Sequence, residues 1–72
     1  MCYWFERTGD RIRCEVRQVG TWYELTVVRP DGSRSIEHFE DAHRLFRRQA
    51  VLEHRLAGDG WSGPCEMMPR PA

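Results

Sequence analysis

Residues 41–57 read DAHRLFRRQAVLEHRLA, and the reading of this stretch decides the fold. At about 100° per residue, Leu45, Leu52 and Leu56 fall on one stripe, with Ala42, Phe46, Ala50 and Ala57 beside it. Arg44, Arg47, Arg48 and Arg55 take the far side. That is an amphipathic helix with one face to bury. Asp41 offers its carboxylate to the free amides of the first turn, and Glu40 adds negative charge at the positive end of the helix dipole. Gly58 is the expected stop, with Arg55 suited to the last turn. Seventeen residues at 1.5 Å rise span roughly 25 Å, enough to cross a small sheet. Gln49 interrupts the apolar stripe, and Val51 lies among the arginines.

Everything upstream reads as the sheet this helix covers. Met1–Arg7 (MCYWFER) is aromatic-rich and strand-like, and Thr8-Gly9-Asp10 is a turn signal. Arg11–Val19 alternates cleanly, Ile12, Cys14 and Val16 one way and Arg11, Arg13, Glu15 and Arg17 the other. Gly20-Thr21 suits a two-residue hairpin loop. Trp22–Arg29 follows as a third strand, Pro30-Asp31-Gly32-Ser33 as a strong turn, and Ser35–Phe39 as a short fourth strand.

Closing the hairpins on Gly9-Asp10, Gly20-Thr21 and Asp31-Gly32 sets Phe5 by Cys14, Val16 by Leu25 and Val27 by Ile36. This register gathers apolar residues on one face and opposes charges on the other. The predicted class is α+β: a four-stranded antiparallel β-meander followed by one C-terminal amphipathic helix packed on one face. The predicted core is Tyr3, Phe5, Ile12, Cys14, Val16, Tyr23, Leu25, Val27 and Ile36 against Leu45, Phe46, Leu52 and Leu56. The folded domain is expected over residues 1–61, with Trp61 folding back on it. Residues 62–72, with three prolines and no periodicity, read as a flexible tail.

At 72 residues the chain is one domain of marginal core size, a size that often recruits a second copy. A homodimer is therefore expected, with the fourth strand as an edge able to pair across a two-fold axis. Eleven basic and eleven acidic residues give zero formal charge, unlike a general polyanion binder. Every basic residue is Arg, and Lys and Asn are absent, which points to a high-GC bacterial genome and discounts arguments from arginine alone. No membrane span or signal peptide is read, so a cytoplasmic setting is the default.

The chemistry-bearing residues are sparse. His43 and His54 lie about 16 Å apart along the helix and cannot share an ion, and no His/Cys cluster has zinc-site spacing, so no metal or cofactor is expected. Cys14 is expected in the core, where a thiol stays protonated and inert. Cys2 and Cys65 lie towards the chain ends, and no G-x-S-x-G, P-loop or Rossmann fingerprint occurs, so an enzyme is not expected. The polar sheet face is the more informative surface. Trp4, Arg13, Arg17 and Trp22, with Phe39 towards one end, make a candidate interaction face, and Arg44, Arg48 and Arg55 make a candidate basic face on the helix. Exposed aromatics among arginines can stack bases and neutralise phosphates, but Glu15, Glu24 and Glu37 are expected on the same sheet face as counter-charges. The leading expectation is a non-enzymatic protein-interaction or self-associating module, and the alternative is a single-stranded nucleic-acid binder.

The order of four antiparallel strands and one C-terminal helix, over about residues 3–57, is similar to one protomer of the positive-cofactor-four and Whirly type of single-stranded-DNA-binding fold. That resemblance implies helix-mediated dimers and strand binding across the sheet. A helix ending in Gly-Asp-Gly-Trp after a hairpin closed by Arg-Pro-Asp-Gly-Ser also resembles short uncharacterised proteins of high-GC bacteria, which implies no activity.

Overall fold

The computed structural model describes residues 1–66. Five strands, β1 (Cys2–Arg7), β2 (Asp10–Val19), β3 (Trp22–Val28), β4 (Arg34–Phe39) and β5 (Ser62–Glu66), form one antiparallel sheet in the order β4-β3-β2-β1-β5. One helix, α1 (Ala42–Gly58), lies on one face. The class is α+β as expected, but the sheet has a fifth strand where a loose tail was expected from Ser62. The rest of that expected tail, residues 67–72, lies outside the described residues.

The second hairpin closes as predicted, with Val16 opposite Leu25 and Cys14 opposite Val27. The first closes on Thr8-Gly9 rather than Gly9-Asp10, so Phe5 faces Ile12 and Tyr3 faces Cys14. Both loop residues take positive φ, at 46° and 87°, the demand of a type I′ turn. This slides the strands by two positions in pairing and leaves each residue on its expected face.

The third hairpin differs in a way that matters. The Arg29 amide donates to the Ser33 carbonyl at 2.8 Å, and the Gly32 amide donates back to Arg29 at 2.9 Å. The loop is therefore three residues long, Pro30-Asp31-Gly32, with Gly32 at φ 87° as a glycine bulge requires. One extra loop residue reverses every side chain of the following strand. Ile36, expected in the core, is 53% exposed on the opposite face, and Thr26 rather than Val27 faces it. Glu37 and Phe39 turn in towards the helix instead.

The core comprises Tyr3, Phe5, Ile12, Cys14, Leu25, Val27, Leu45, Leu56 and Trp61, with Val16, Tyr23, Phe39 and Leu52 packed at its margin. Phe46, also expected inside, is 60% exposed. It lies about 100° around the helix from Leu45, and a flat sheet covers only the stripe nearer Leu45, Leu52 and Leu56. Gln49, which interrupts the apolar stripe, donates to the Tyr3 hydroxyl 2.7 Å away.

Asp41 caps the helix as expected, its Oδ1 accepting from the Arg44 amide at 2.8 Å. The stop is two residues later than Gly58. Trp61 N–H donates to Leu56 O and Gly60 N–H donates to Ala57 O, the paired bonds of a Schellman motif with Gly60 at φ 87°. The motif aims Trp61 back at Leu56, both residues in the core, and starts β5 beside β1. Arg7 seals this corner, donating to Asp59 O at 2.9 Å with its guanidinium 4.5 Å from the Trp61 ring centroid.

Candidate interaction face

With α1 on one face, the alternation of the strands determines what the other presents. Following the register across the sheet gives a series of rows, begun at one end by Glu6 opposite Arg11. Next to it, Cys65, Trp4, Arg13, Val28 and Arg34 form the first complete row. Cys2, Glu15, Thr26 and Ile36 form the second, and Arg17, Glu24 and His38 the third. Val19 and Trp22 end the sheet. Among the described residues, no helix or strand packs over these rows.

Trp4, Arg13, Arg17 and Trp22 therefore share the open face, as the period-two alternation predicted. Phe39 does not, because the longer third loop turns it towards the helix. Thr26, Val28, Arg34, Ile36 and His38 join the face. A one-residue change in loop length separated Arg34, Ile36 and His38 from the sequence reading. Val28, on β3, was legible by alternation.

Two local clusters organise the surface. At one end Trp4 is fixed from two directions. Its indole N–H donates to Glu6 Oε1 at 3.0 Å, and the Arg11 guanidinium sits 4.9 Å from its ring centroid. Arg11 Nε is in turn 3.0 Å from the same carboxylate oxygen. A shallow groove of about 540 Å³ runs beside this cluster, lined by Cys2, Trp4, Arg11, Arg13, Val28 and Arg29 among others. At the other end Trp22 meets His38 edge-to-face, centroids 4.5 Å apart, and His38 Nε2 lies 3.5 Å from Glu24 Oε2. Glu24 thus faces Arg17 in register, as expected, but the side chain its carboxylate lies beside is His38. Among the described residues, no carboxylate lies within salt-bridge distance of Arg13, Arg17 or Arg34.

The chain matches no protein family, no curated protein and no solved structure.

The expected basic helix face is divided by its own counter-charges. Arg44 lies 3.7 Å from Glu40 and 3.6 Å from Asp41. Arg48 reaches under the helix to Glu37, its Nε 2.9 and 3.2 Å from the two carboxylate oxygens. Glu37 is available there only because β4 is reversed. Arg55 remains exposed in the last turn.

The buried thiol and hydroxyl, Cys14 and Tyr3, hold their protons at neutral pH. Burial pushes the Cys14 thiol up to about 11 and the Tyr3 hydroxyl up to about 12, far from the range of a nucleophile or general base at neutral pH. Among the described residues, no three His, Cys, Asp or Glu side chains gather as metal ligands, and no helix is long and apolar enough to cross a membrane.

Proposed function

We propose that this chain is a small non-enzymatic interaction module that engages a polypeptide partner through the open face of its sheet. The observation that carries this reading is the composition of that face. Thr26, Val28 and Ile36 form a central component between Arg13, Arg17, Arg34 and Glu15, with Trp22 beyond the row of Arg17, Glu24 and His38. Protein interfaces favour this mixture of aromatic and arginine side chains around an apolar centre. A partly exposed apolar patch rimmed by polar residues is the kind of surface that marks contact sites.

A photo-crosslinking residue at Thr26, in the middle of the face, tests the reading in cells. It is expected to capture a defined polypeptide, and a Val28→Asp substitution is expected to abolish the capture. Equal capture from a crosslinker at Arg47, on the solvent side of the helix, would overturn it.

A second reading, single-stranded nucleic-acid binding, is favoured by one feature, the groove where Trp4 lies beside Arg11, Arg13 and Arg29. A π-face next to guanidinium groups, of which Arg11 is already held by Glu6, suits a base and its phosphate. Tryptophan fluorescence titrated with mixed single-stranded oligonucleotides at two salt concentrations separates the readings. Saturable quenching that weakens with salt and vanishes in Arg13→Ala supports nucleic acid. No response at low salt from the folded protein leaves the polypeptide partner.

A further inference from the structure

The sheet has two edges, and they are built differently. β5 is five residues long, contains Pro64, and pairs with β1 through a register shift between Trp4 and Glu6. A short, proline-bearing, irregular edge is a common protection against further strand pairing. β4 has neither the proline nor the register shift. Its six residues pair with β3 without interruption, and Ile36 stands 53% exposed near its centre.

The hydrogen-bond phase of β4 follows from its hairpin. The Arg29 amide bonds to Ser33 O. In an antiparallel ladder bonded and non-bonded pairs alternate, so Ser35, Glu37 and Phe39 direct their backbone groups at β3. Arg34, Ile36 and His38 direct theirs away from the sheet.

We infer that β4 is the contact strand of a homodimer, pairing antiparallel with β4 of a second copy about a two-fold axis through Ile36. In this register Ile36 faces the partner's Ile36, and Arg34 faces the partner's His38. These are the residues whose N–H and C=O groups point outward, so each facing pair can exchange both backbone bonds. Arg34 then approaches a histidine already engaged by Glu24. On the helix side Ser35 faces the partner's Glu37, a hydroxyl donor against a carboxylate. The neighbouring registers are worse. Centring on Glu37 opposes two like charges, and centring on Ser35 shortens the ladder and sets Arg34 against Ile36. The two-fold axis is perpendicular to the sheet, so both helices stay on one side and the two open faces join into one surface of double width. The inference does not depend on what that open face binds.

Sedimentation of the full chain over dilution from about 1 mM to about 1 µM tests it. The wild type is expected to move from twice the chain mass to the chain mass. Ile36→Lys, which places like charges on the axis, is expected to remain at the chain mass throughout. Arg47→Ala, on the solvent side of the helix, is expected to dimerise as the wild type does. Wild-type protein that stays monomeric at the highest concentration would overturn the inference, as would an Ile36→Lys variant that still dimerises. Amide hydrogen exchange of the wild type provides an independent check should Ile36→Lys fail to fold. Protection at Arg34, Ile36 and His38 is expected to rise with concentration, against constant protection at Ser35 and Glu37. A dimer that leaves those three amides unprotected would also overturn the edge contact.

Discussion

The Gln49 side-chain amide donates to the Tyr3 hydroxyl at 2.7 Å, tying the middle of the helix to the first strand of the sheet. Tyr3 is only 4% exposed, so its hydroxyl depends on that partner, whereas Gln49 is half-buried and retains access to water. Losing the amide therefore costs more than losing the hydroxyl. Gln49→Leu is expected to destabilise by about 1–3 kcal/mol and Tyr3→Phe by about 1 kcal/mol. The double variant should be less destabilised than the sum of the two. Urea unfolding of the three variants gives the cycle.

The core thiol makes stability fall at alkaline pH. Burial raises Cys14 from its ordinary 9.0 to about 11, and Tyr3 from 10.0 to about 12. Above pH 9 the unfolded chain releases the Cys14 proton while the folded chain keeps it. The folded state then binds more protons, and stability decreases as pH rises. The Cys14 contribution is intact below pH 9 and costs about 1.4 kcal/mol for each pH unit climbed towards 11. Unfolding free energies between pH 8 and 11 are expected to slope downward, and Cys14→Ala should flatten the slope up to pH 10, where Tyr3 takes over. In the native protein at pH 8, a thiol reagent is expected to modify half-buried Cys2 and Cys65 and spare Cys14.

At Gly63, β5 passes close to β1. Its φ is 141°, and a Cβ there would sit 2.9 Å from both Phe5 Cδ2 and the Trp4 carbonyl oxygen. Neither neighbour can yield, since Phe5 is 1% exposed and the oxygen is backbone. Gly63→Ala is expected to cost about 1–3 kcal/mol. A thermal melt would show this as a midpoint lower by roughly 4–8 °C for each kcal/mol.

The Asp41 cap holds the junction between the edge strand and the helix, accepting from the Arg44 amide at 2.8 Å. Asp41→Ala is expected to cost about 1 kcal/mol, and Asp41→Ser a few tenths, because a serine oxygen can take the same bond. Calorimetric midpoints of the two variants make the comparison.

What the sequence determined by itself is whatever depends on period and on short-range chemistry. The alternation of Arg11–Val19 placed Cys14 inside and Arg13 and Arg17 outside. Gly20-Thr21 set the central register, and Asp41 and the leucine spacing set the helix and its buried stripe. Trp4 and Trp22 were legible on the open face for the same reason. Tertiary structure decided the rest. A single extra residue in Pro30-Asp31-Gly32 reversed β4, moving Ile36 out, Glu37 in to Arg48, and Phe39 off the candidate face. Local propensity barely distinguishes a two-residue from a three-residue loop, yet parity makes the consequence total. Phe46 stayed outside because the sheet covers less of the helix than its apolar residues span. β5 has no alternation to read. Its Gly-Pro sequence joins the sheet because the helix end turns Trp61 into the core and delivers the following residues alongside β1. That is a packing outcome between Leu56, Trp61 and Phe5, and no local pattern in residues 62–66 encodes it.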